Sequence, residues 1–88
     1  MARIVLPAGW SHRGQSEFDG GEGPLHEVIK RFADDHPHYR RRLLDPDGEP
    51  RTYFNVYLDD TAVPRGDRSS TTVGAGNVIT IVPPMAGG

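Results

Sequence analysis

The sequence predicts an α+β fold in which one main helix packs across a mixed sheet of four to five strands. Three observations predict it. One apolar stripe of helical period lies in the first half of the chain. Short β-branched and aromatic runs flank it on both sides. Glycine (11) and proline (8) punctuate the 88 residues throughout and do not gather in one linker, so one domain with several loops is expected.

Residues 2–6 alternate loosely and stop at Pro7, which reads as a first strand. An open turn rich in glycine leads to a second strand over 15–19, with Phe18 inward, and the two make a hairpin. Gly20, Gly21 and Gly23 break that pattern, and Pro24 suits the first turn of a helix. Leu25, Val28, Ile29, Phe32 and Ala33 then recur at helical spacing, while His26, Glu27, Lys30, Arg31 and Asp34 lie off the stripe. Pro37 ends this helix, because the residue before a proline is pushed out of the helical region.

One irregular helical turn is expected over 38–44, tucking Leu43 and Leu44 under the sheet. Asp45-Pro46-Asp47-Gly48 is a turn signal: proline presets φ and glycine accepts positive φ. Residues 52–58 read as a strand. Phe54, Val56 and Leu58 share one face; Tyr53, Asn55 and Tyr57 share the other. After a turn at Asp59-Asp60, Ala62-Val63 pair briefly. Residues 66–76 read as polar and irregular. The last strand, 77–82, points Ile79 and Ile81 inward and Val78, Thr80 and Val82 outward. Pro83-Pro84 stops all pairing, since neither has an N–H to donate. The first and last strands are expected as parallel neighbours in the centre, an arrangement known as the β-grasp. The expected division is a domain over 1–82 and a flexible, extended tail over 83–88.

Composition narrows the function. A 9.7 kDa chain with a mean hydropathy of −0.56 builds only a thin core, which argues against a deep catalytic cleft. Neither a membrane span nor a secretory signal is apparent. Cysteine is absent, so disulfides and thiol nucleophiles are excluded and a cytoplasmic setting is the default. The net charge of −2 argues against nucleic acid as a partner. Arg40-Arg41-Arg42 therefore reads as a solvated face or a contact for an acidic patch. His12, His26, His36 and His38 show no metal-ligand spacing, so no metal site is expected. Asp34-Asp35 and Asp59-Asp60 are adjacent pairs and poor acid–base couples.

The candidate chemistry lies in the tail. Pro83-Pro84 lifts Met85, Ala86, Gly87 and Gly88 off the sheet. Glycines lack a β-carbon and can thread a narrow passage. The reactive group is the Gly88 carboxylate, a poor electrophile until it gains a good leaving group. ATP used by a separate activating enzyme would provide one, because nothing in this chain resembles a phosphate-binding loop. A frayed end is the other reading of the two glycines. Asn55, Tyr57 and Val82, on the outward sheet face, join residues 83–87 as candidate partner-binding residues; ordinary half-buried packing is the alternative. Trp10, in the first loop, is either a contact anchor or a cover for the core.

The helix Leu25 to Phe32, Arg42-Leu43-Leu44-Asp45-Pro46, Phe54-Asn55-Val56-Tyr57-Leu58-Asp59-Asp60 and the ending Ile81-Val82-Pro83-Pro84-Met85-Ala86-Gly87-Gly88 together resemble the MoaD/ThiS-type ubiquitin-like sulfur carriers. The Asn-x-Tyr strand and the longer middle segment make the chain most similar to the CysO-type carriers. Asn77 departs from the acidic residue common at that turn. The resemblance implies a co-substrate, not an enzyme, with no cofactor of its own. An E1-like adenylyltransferase/sulfurtransferase would adenylate Gly88 and exchange the adenylate for a thiocarboxylate. A biosynthetic enzyme would then accept the sulfur, a PLP-dependent cysteine synthase or a thiazole-synthase-like enzyme. A molybdopterin synthase small subunit and a protein modifier are the alternatives.

Overall fold

The computed structural model describes residues 1–10 and 14–84. Its strands are β1 (Ala2–Val5), β2 (Glu17–Gly20), β3 (Gly23–Pro24), β4 (Asn55–Leu58), β5 (Thr61–Val63), β6 (Thr72–Val73) and β7 (Val78–Val82). Its helices are α1 (Leu25–Asp35) and α2 (Pro37–Leu43). Five strands form one sheet in the order β2-β1-β7-β4-β5, and β3 pairs with β6 apart from it. β7 is central, parallel to β1 and antiparallel to β4. This is the β-grasp.

The apolar alternation of the strands becomes one buried layer. Ile79 lies opposite both Ile4 and Leu58, and Ile81 lies opposite Val56. Helix α1 buries Leu25, Val28, Ile29, Phe32 and Ala33 in that same core, as its period predicts. Pro24 gives α1 no side-chain cap. Carbonyls from the segment before β6 serve instead: Leu25 N–H donates to Thr71 at 2.7 Å and His26 N–H to Arg68 at 3.1 Å.

Three sequence expectations change. The stretch after Pro37 is a regular seven-residue helix, not one irregular turn. Proline at its first position is preorganised for helix, Tyr39 and Leu43 are buried four residues apart, and three arginines in its last turn suit the negative end of the dipole. The strand expected over 52–58 begins only at Asn55. Asn55 pairs with Val82, so Phe54 would face Pro83, which has no N–H. Residues 66–76 are not shapeless: they contain β6, the buried Val73 and the buried Arg68.

One local device is as read, and one open alternative is decided. Gly48 takes φ +82°, and the Asp45 carboxylate accepts N–H groups from Asp47 and Glu49 at 2.9 and 3.0 Å. Trp10 is buried beneath the Arg42 guanidinium, 5.4 Å from the ring centroid, and so covers the core.

Candidate functional site

α1 and α2 cover one face of the sheet, and the alternation of β4 and β7 leaves a second set of side chains on the other. Tyr57 lies directly opposite Thr80, and Asn55 opposite Val82. The same row continues from Thr80 to Val5 and Glu17 on one side and from Tyr57 to Ala62 on the other. It therefore crosses all five strands. Tyr57 is 36% exposed, and Val5, Val78, Thr80 and Val82 are half-buried. Arg3 and Glu17 form an exposed ion pair at 3.2 Å toward the β2 edge. The face is apolar at its centre and charged at one rim, the anatomy of a protein contact surface.

Of the predicted partner-binding residues, the structure brings Asn55, Tyr57 and Val82 together, and Pro83 and Pro84 follow, exposed, where β7 ends. Met85, Ala86, Gly87 and Gly88 lie outside the described residues, as does His12. Tyr53 departs from the expected face: it precedes β4, and its hydroxyl donates to the Arg42 carbonyl of α2 at 3.2 Å.

A second feature stands at the root of the tail. Arg68 is 4% exposed; its Nη1 donates to the Arg51 carbonyl at 2.9 Å and its Nη2 to the Phe54 carbonyl at 2.7 Å. Its guanidinium stacks over the Phe54 ring, 4.9 Å from the centroid. Burial, and then the neighbouring Arg65, lower the Arg68 pKa from its ordinary value. Sequence reasoning missed this residue, because a polar run carries no period to mark one buried position.

The histidines have other work. His26 Nε2 lies 3.0 Å from Glu49, and His36 Nδ1 lies 2.9 Å from the Phe32 carbonyl. Among the described residues no three His, Asp or Glu side chains gather to hold a metal, and no helix is long and apolar enough to cross a membrane. The Asp59 carboxylate turns the chain, accepting from Asn77 Nδ2 at 2.8 Å and from the Val78 N–H at 3.0 Å.

Solved structures share this fold. In the Amycolatopsis orientalis BexX/CysO complex one chain matches with a TM-score of 0.78 at 23% identity, covering 100% of both chains. CysO from Mycobacterium tuberculosis matches with a TM-score of 0.75 at 23% identity, covering 97% of this chain and 100% of that one. SAMP1 from Haloferax volcanii matches at 0.73 and 22%, covering 99% and 98%. No curated protein matches the sequence. The ThiS family model matches residues 11–88, and the chain belongs to the ThiS family. That family is of the MoaD/ThiS-type ubiquitin-like sulfur carriers.

Proposed function

We propose that this ThiS-family chain is a sulfur carrier whose Gly88 carboxylate is adenylated by an E1-like enzyme and converted to a thiocarboxylate. One observation carries the reading. The central strand β7 ends at Val82, and the sequence continues from it through the exposed Pro83-Pro84 to a Gly87-Gly88 ending. Adenylation replaces a carboxylate oxygen's poor leaving ability with that of AMP, and a sulfur nucleophile then displaces the AMP. The product is a soft sulfur nucleophile that a biosynthetic enzyme can accept, in the CysO-like case for cysteine or a specialised metabolite. ATP belongs to the activating enzyme, and this chain acts as a co-substrate. Asn55, Tyr57 and Val82 would seat the partners while residues 83–87 thread their channel.

Intact-mass measurement of the protein from its native host tests this. One oxygen exchanged for sulfur supports a carrier. Loss of Gly88, or one residue added after it, should abolish that product with the fold intact. Normal thiocarboxylate formation by the shortened chain would reject the proposal. The likeness to SAMP1 favours a second reading, a modifier joined to lysines, for which isopeptide-linked adducts would be found instead.

A further inference from the structure

The topology gathers a set of arginines at one end of the sheet. β1, β5 and β7 run in one direction and β4 runs against them. The exits of β1, β5 and β7 and the entry to β4 therefore share an end, where Pro83-Pro84 also departs. Arg65 follows β5, Arg51 precedes β4, and Arg42 covers Trp10 in the loop after β1. Arg68 reaches the same place through the carbonyls of Arg51 and Phe54.

These guanidinium groups are held by neutral partners. Arg51 Nε donates to the Arg41 carbonyl at 3.0 Å, and Arg65 Nε donates to the Thr52 carbonyl. Arg42 lies over an indole. The ion pairs among the described residues are Arg3–Glu17, His26–Glu49, Lys30–Glu49 and Arg40–Asp34. None involves Arg42, Arg51, Arg65 or Arg68. Along the chain the nearest acids are Asp45 to Arg42, Glu49 to Arg51, and Asp67 to Arg65 and Arg68. Asp45 spends its carboxylate on backbone N–H groups, Glu49 spends its own on His26 and Lys30, and no ion pair joins any of the three to these arginines. Asp59 and Asp60 sit at the far end of β4. Four arginines thus gather at the end where Pro83-Pro84 depart, with Asp59 and Asp60 at the other end of β4, on a chain whose net charge is −2.

We propose that this arginine collar is a docking surface for an acidic rim on the protein that receives the tail. The inference rests on the sulfur-carrier reading for the identity of that partner, the E1-like activating enzyme. Arg42, Arg51 and Arg65 keep their charge uncompensated and reach solvent, which suits carboxylates, while the buried Arg68 holds the chain beneath them. A collar at the strand end from which Pro83-Pro84 depart attracts the partner to that end, so it acts on the association rate. Protein fits better than nucleic acid, because the collar is one local cluster on a net acidic chain.

The test uses the full chain, the E1-like enzyme of the same host and a variant carrying Arg42→Glu, Arg51→Glu and Arg65→Glu, with Arg68 left in place for the fold. Stopped-flow association at low salt should slow about tenfold or more, and the difference should close at high salt. An unchanged rate, or a defect independent of salt, would overturn the proposal. A decaglutamate peptide and a decauridylate are titrated separately by amide NMR. Peptide-induced shifts at residues 42, 51–54 and 65–68 that the variant loses support the collar even if no thiocarboxylate is ever formed. Stronger binding of the oligonucleotide would overturn the acidic-protein assignment. Were the variant unfolded, neutral Arg42→Gln and Arg65→Gln would be read for the same salt-dependent slowing.

Discussion

The two faces of β7 are one strand put to two uses. Ile79 and Ile81 point into the core beneath α1, whereas Val78, Thr80 and Val82 look out on a face that no other element of the described chain covers. The residues alternate, their backbone bonds are shared, and all but Thr80 are apolar. Burial separates the two sets. Inward positions should therefore report on stability and outward positions on partner affinity, and substitutions along this sheet should fall into two groups.

The largest expected effect is on the inner face. Ile79→Ala leaves a cavity between Ile4 and Leu58 and should lower the unfolding free energy by about 2–5 kcal/mol, read from urea denaturation. Thr80→Ala, one residue on, should change it by less than about 1 kcal/mol. Comparable losses at the two positions would dissolve the distinction between the faces.

Arg68→Ala comes next. It strands the buried carbonyl of Phe54 and loosens the segment that caps α1, so a loss of about 2–4 kcal/mol is expected. A melting temperature equal to that of the parent would mean that water replaces the guanidinium there.

On the outer face, Tyr57→Asp together with Val82→Asp should weaken binding to the activating and acceptor enzymes by a few kcal/mol, with only a small change in melting. Titration calorimetry with each partner checks it. Unchanged affinity for both would reject this face and leave the arginine collar, with the Arg40–Arg42 surface whose Arg42 lies over Trp10, as the contact.

The smallest effect is at the far end of the sheet. Asn77→Asp sets a carboxylate where an amide now donates to Asp59, and should cost about 1 kcal/mol at neutral pH. Added salt should reduce that cost. A neutral substitution would show that the turn relaxes freely.

These contrasts also explain what could be read from the sequence. The stripe of α1, the inward Ile79 and Ile81, and the Asp45–Gly48 turn are local signals, set by period and by backbone chemistry. So is the Asn55–Tyr57 alternation on the outer face. What escaped was long-range. The start of β4 depends on facing Pro83, and the caps of α1 come from residues 68 and 71. The side chain of Arg68 is ordered by residues 51 and 54. No window of a few residues contains both partners of any of these bonds. The arginine collar was invisible for the same reason: its members are scattered in sequence and meet only when the strands share an end.

The central place of β7 bears on how the molecule assembles. β2-β1 and β4-β5 are two antiparallel ribbons with no ladder between them except through β7. Two-stranded ribbons alone are marginal in water. A chain interrupted before Val78 would hold neither half of its sheet together, and native contacts of high sequence separation must close last. Tension applied to the tail would load both ladders of β7 lengthwise at once, so a partner that pulls on the ending pulls against the keystone of the whole sheet.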